Sequence, residues 1–60
     1  MDIREKILEL IRRFHSEHGE WPTEVVLPLE QLEEIEDRLG RDTRTVFGLR
    51  IVEGQTLEVR

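Results

Sequence analysis

The sequence predicts an α+β fold in which two helices pack on a three-stranded mixed sheet, in the order α-β-α-β-β with a C-terminal β-hairpin. Two stretches repeat apolar residues at helical spacing, and a short valine-rich run lies between them. The last third alternates with a period of two residues, as strands do. No linker or internal repeat divides the chain, so residues 1–60 are predicted to form a single small α+β domain.

The first helix is predicted from about Ile3 to His18. Asp2 can accept hydrogen bonds from the free amides of the first turn, and Glu5 follows at the capping-box position. Gly19 ends the helix because glycine adopts a left-handed conformation without steric cost. One face of this helix is apolar and consists of Ile3, Ile7, Leu10, Ile11 and Phe14.

A strand and a second helix follow the Trp21-Pro22 link. Proline cannot continue a helix, and the β-branched run Glu24 to Leu27 suits a short covered strand. Pro28 can open the second helix, which ends at Gly40. The apolar face of this helix carries Leu32, Ile35 and Leu39.

The C-terminal hairpin is predicted from the alternation of Phe47, Leu49 and Ile51, followed by Leu57 and Val59. A three-residue loop, Val52 to Gly54, would pair Leu49 with Leu57 and Phe47 with Val59. A right-handed crossover would set the first strand parallel to the first hairpin strand. An order with the first strand beside the last stays open.

Charge is distributed unevenly along the chain, whose net charge is −5. Residues 14–37 hold eight acidic and no basic side chains, whereas residues 38–60 hold five basic and three acidic ones. This pattern argues against a phosphate-backbone binder, so no direct nucleic-acid partner is predicted. The first ten residues lack the apolar stretch of a signal peptide, and no membrane span is evident, so we expect a cytoplasmic protein.

Few residues offer catalytic or metal chemistry. His15 and His18 lie three apart on the first helix, and Glu17 and Glu20 could add oxygen ligands, but a closed zinc site needs about four ligands. Ser16 is the only serine, and its neighbour His15 points in a different direction on a helix. No glycine-rich phosphate loop is present. We therefore predict no enzyme, no catalytic residues, no metal and no cofactor.

Two local resemblances extend this interpretation. The stretch HGEWPTEVVLPLEQLEEIEDRLG, followed by GLRIVEG, resembles small α+β proteins of unknown function from bacteria and their phages, which implies the architecture but no activity. The segment VVLPLEQLEEIED is similar to the strand-to-helix element of Phd/YefM-type antitoxins. In that family the hairpin precedes this element and a basic DNA-binding face is present, so no residue role is carried over.

A self-associating protein-interaction module is the leading functional hypothesis, since a thin sheet in so small a domain leaves apolar surface to bury against another chain. The alternative is an acidic regulator or decoy, antitoxin-like or a nucleic-acid mimic, that binds a basic surface of a partner protein. Trp21 either covers the end of the core beneath Gly19 or belongs to the binding surface. The candidate partner-binding residues are Trp21, Glu24, Glu30, Glu33, Glu34, Glu36 and Asp37.

Overall fold

The computed structural model describes residues 2–60 and shows two helices and a four-stranded mixed sheet. The α+β class and the two helices are as predicted. The elements are α1 (Ile3–His18), β1 (Glu24–Leu27), α2 (Leu29–Leu39), β2 (Thr45–Val46), β3 (Leu49–Glu53) and β4 (Glu58–Val59).

Both ends of α1 form as the sequence predicts. The Asp2 carboxylate accepts a hydrogen bond from the Arg4 amide at 3.0 Å, and Gly19 adopts φ +73° while its amide donates to the His15 carbonyl. The Arg4 amide, with Arg38 nearby, holds the pKa of Asp2 below its usual value. Because Arg38 lies on α2, its 3.0 Å ion pair with Asp2 also joins the two helices.

The sheet has the order β2-β3-β1-β4. β1 runs parallel to β3, which confirms the predicted parallel pairing, and antiparallel to β4. The predicted three-stranded sheet is wrong because Thr45 and Val46 form an additional strand, β2, antiparallel to β3. β1 therefore lies beside the last strand as well as beside β3, and β2 and β4 form the two edges.

The hairpin differs from the predicted one. Its turn consists of Phe47 and Gly48, with φ values of +52° and +79°, and it joins β2 to β3. Two central residues with positive φ match the twist of the flanking strands, so this turn closes a tight hairpin. Phe47 consequently lies at the tip of the hairpin and not in the buried alternation that the sequence suggested.

β4 pairs with β1 and not with β3, so the predicted pairs of Leu49 with Leu57 and of Phe47 with Val59 are wrong. Val59 lies opposite Val25. The predicted turn at Gly54 fails because β3 continues to Glu53 and the Gly54 amide donates to the Leu27 carbonyl at 3.0 Å. The connection from β3 to β4 crosses the end of β1 instead of folding straight back.

The core lies between the helices and one face of the sheet. Val25 and Leu27 of β1 point toward the helices and are fully buried, whereas Val26 points to the opposite, open face. Val26 is nevertheless only 5% exposed. The remaining buried members of the core are Ile3, Ile7, Ile11, Ile35, Val46 and Leu49.

Gly54 lies directly against Val26 on the open face. A Cβ atom at this position would overlap Val26 Cγ1, so we expect Gly54→Ala to lower the free energy of unfolding by about 1–3 kcal/mol. Urea unfolding measures this loss. The double variant with Val26→Ala provides the control, since removing Cγ1 makes room for the new methyl group. Additive losses in the double variant would contradict the overlap.

Candidate protein-interaction surface

Two exposed aromatic side chains lie at one end of the sheet. β1 and β3 are parallel and Glu24 lies opposite Arg50, so the link before β1 and the turn before β3 lie at the same end of the sheet. Trp21 lies in this link and is 64% exposed, and Phe47 lies in the turn and is 46% exposed. We call this surface, with the neighbouring His15, the aromatic end.

The ring of Trp21 lies flat on His15 at the end of α1. The two ring centroids are 3.8 Å apart and the planes are inclined by 17°. Of the two interpretations of Trp21, the one in which it covers the core beneath Gly19 is therefore wrong. Pro22 is the buried residue of this link, and a proline before an extended strand leaves the preceding side chain outside.

The two histidines of α1 both contact aromatic rings. His18 lies 4.3 Å from Phe14, measured between ring centroids, and His15 stacks against Trp21. Within residues 2–60 no group of three or more histidine, aspartate or glutamate side chains is arranged to hold a metal ion. The pair thus contributes polar aromatic surface at the end of α1.

Glu24 lies between two arginines on the open face of the sheet. Arg50 Nε lies 3.1 Å from Glu24 Oε2, and Arg60 Nε lies 3.4 Å from Glu24 Oε1. The hydrogen bonds from Arg50, assisted by the charge of Arg60, lower the pKa of Glu24. This predicted partner-binding carboxylate is thus already paired within the chain, and the side chains left exposed here are those of the arginines.

Glu24 is expected to make stability depend on pH. The pKa of Glu24 in the folded state lies below its ordinary value of 4.5, so the ionised carboxylate stabilises the fold above about pH 4.5. This stabilisation is lost as the pH falls through the folded-state pKa. We expect the stability difference between the native chain and Glu24→Gln to shrink below about pH 4.5. Urea unfolding across this range measures it, with Glu9→Gln on α1 as the control for removing a carboxylate. A difference independent of pH would contradict the assignment.

The remaining predicted partner-binding residues lie together along α2. Glu30, Glu33, Glu34 and Asp37 are exposed, and Glu36 is half-buried. The ion pairs found within residues 2–60 include none of these five carboxylates. We call them the α2 carboxylates. They form a negative surface on α2, whereas Trp21 lies in the link before β1.

A groove between α1 and β4 is a further surface, which sequence reasoning missed. It consists of two adjoining hollows of about 230 and 280 Å³ that share Leu10, Arg13 and Leu57. Phe14 and Val59 extend its apolar wall. The signal in the sequence was the alternation of Leu57 and Val59, but their place beside α1 depends on the pairing of β4 with β1. We call this surface the α1–β4 groove.

Comparisons with family models, curated proteins and solved structures found no significant match for this chain. The suggested resemblance to small bacterial and phage proteins therefore stays a prediction.

Neither of the two helices, as described over residues 2–60, has the length and apolar character needed to cross a membrane.

Proposed function

We propose that this chain is a non-enzymatic protein-interaction module that associates with copies of itself. The observation that carries the proposal is the apolar surface that a very small domain leaves uncovered, both at the aromatic end, where Trp21 and Phe47 are 64% and 46% exposed, and along the α1–β4 groove. Large aromatic residues supply much of the binding energy at protein interfaces. Covering such surface with a second chain adds apolar burial to a domain whose own core is small.

The α2 carboxylates support binding over catalysis. A carboxyl group that works as a general acid is desolvated or held against a second carboxylate, which raises its pKa. Glu30, Glu33, Glu34 and Asp37 instead lie exposed on the helix surface. Such a row suits electrostatic attraction to a basic partner, in which opposite charges speed the encounter.

Self-association is tested by measuring the melting temperature over a wide range of protein concentration. Assembly of folded chains stabilises the folded state by mass action, so the melting temperature is expected to rise with concentration. Circular dichroism at low micromolar concentration and calorimetry near millimolar concentration cover the range. A melting temperature that stays constant throughout would contradict self-association.

An acidic regulator that occupies a basic surface is the second candidate function, favoured by the grouping of the α2 carboxylates. Its affinity for a basic probe should fall as salt is added, because exposed charges are screened. An immobilised lysine-rich peptide is a suitable probe, and the triple variant Glu30→Gln, Glu33→Gln, Glu34→Gln is expected to lose binding.

The matched control for that variant is Glu5→Gln, Glu9→Gln, Glu17→Gln on α1, which removes the same number of exposed charges. We expect this control to retain binding. Equal loss in both triple variants would show that only the net charge matters, and it would remove the argument for an acidic binding surface on α2.

A further inference from the structure

The free edge of β4 presents unpaired backbone groups. Glu24 and Arg60 exchange two backbone hydrogen bonds, of 2.8 and 2.9 Å, across the β1–β4 pair. Hydrogen-bonded and non-hydrogen-bonded pairs alternate along an antiparallel ladder, so the N–H and C=O of Val59 point away from β1. Within residues 2–60 no strand lies beyond β4, and these groups are open to another chain.

The α1–β4 groove lies directly beside this edge. Leu10, Phe14 and Leu57 are half-buried along it, and Val59 packs against the core from the same side of the sheet. An added strand would therefore form backbone hydrogen bonds with β4 and apolar contacts with the α1–β4 groove. This combination is the usual basis of strand addition at a sheet edge.

Glu58 and Arg60, on either side of Val59, carry opposite charges that favour one register of an added strand. Val59 faces the core, so alternation along the strand directs Glu58 and Arg60 to the other side, and both are exposed. Glu58 also borders the α1–β4 groove at the sheet edge. An antiparallel pair centred on Val59 sets Glu58 of each chain opposite Arg60 of the other. Centring on Glu58 would bring two glutamates together, and centring on Leu57 would leave both charges opposite uncharged residues.

We propose that a second copy of the chain adds to β4 in antiparallel orientation, with Val59 opposite Val59 and two Glu58–Arg60 pairs across the junction. This inference rests on the proposed self-association and names its contact. The result is a twofold dimer with one continuous eight-stranded sheet. Arg60 keeps its contact with Glu24, because a guanidinium has donors enough for both carboxylates.

A charge exchange between two variants tests the register. Glu58→Lys places a lysine opposite Arg60, and Arg60→Glu places two glutamates opposite each other, so each variant alone is expected to dimerise about tenfold more weakly or worse. An equimolar mixture restores opposite charges at both pairs. We expect the mixture to form a heterodimer with near-native affinity, measured by sedimentation equilibrium and native mass spectrometry.

The control is Arg50→Glu, which makes the same charge change and also removes a partner of Glu24, but lies on β3 away from the edge. It should leave dimerisation unchanged, and circular dichroism checks that every variant is folded. If the native chain dimerises but neither edge variant weakens it, or if the mixture recovers nothing, this register is overturned while self-association stands. A native chain that stays monomeric overturns both proposals.

The aromatic end provides a competing contact in the same experiment. If Trp21→Ser abolishes dimerisation and the edge variants do not, the second copy binds at the aromatic end and the β4 proposal is overturned.

Discussion

Deletion of Leu57 to Arg60 is expected to unfold the protein. The deletion removes β4 and, with it, two half-buried apolar side chains that pack against the core. It also removes the backbone partners of Thr23 and Glu24, whose amides donate to the Arg60 carbonyl at 2.9 and 2.8 Å. A domain of this size has little stability to spare, because it buries only about 60% of its unfolded surface.

Far-ultraviolet circular dichroism with a urea titration measures the effect of this deletion. The matched control is the full-length double variant Glu58→Ala, Arg60→Ala, which keeps the backbone of β4 and the apolar side chains of Leu57 and Val59. We expect this control to remain folded. A truncated chain that retains the native spectrum and a cooperative transition would show that β4 is dispensable.

Ile7→Ala is expected to lower the free energy of unfolding by about 2–5 kcal/mol. Ile7 is fully buried on the inner face of α1, in the middle of the core cluster, and truncation leaves a cavity there. Alanine has a high helix propensity, so the loss reports on packing and not on helix formation. Small domains have total stabilities near the lower end of about 5–15 kcal/mol, so this single change removes a large fraction.

Urea unfolding of Ile7→Ala should show a lower midpoint. Glu9→Ala on the exposed face of the same helix is the control, expected to change stability by less than about 0.5 kcal/mol. Equal effects from the two substitutions would mean that α1 is not packed on the sheet through Ile7.

The helices and the parallel strand pair could be predicted because their signals are local. Asp2 and Gly19 limit α1, and Pro28 and Gly40 limit α2, at the residues where the structure begins and ends them. The short apolar run of β1 predicts a covered strand, and in the structure β1 lies between β3 and β4. A connection through α2 then brings β3 alongside β1 in the parallel sense.

The hairpin could not be predicted because the first central position of its turn, before Gly48, holds a bulky residue in place of the usual asparagine, aspartate or glycine. Phe47 adopts φ +52°, which a bulky side chain rarely does, whereas Gly54 looked like the natural turn position. Gly54 is needed for a different reason, namely the close approach to Val26. Only the tertiary structure shows that contact. The pairing of β4 with β1 depends on the connection from β3 to β4, which crosses the end of β1.

The candidate surfaces were predicted in part. The acidic row of α2 follows from helical spacing and lies on the surface as expected. The engagement of Glu24 by Arg50 could not be foreseen, because it depends on the register of β1 against β3. The exposure of Trp21 depends on Pro22 taking the buried place in the link, which composition does not reveal.

Sedimentation equilibrium of the native chain, from low micromolar to near millimolar concentration, measures self-association without a probe or a substitution. Self-association predicts an apparent molar mass that rises from the 7.2 kDa of one chain toward twice that value. A mass that stays at 7.2 kDa over the whole range would contradict it.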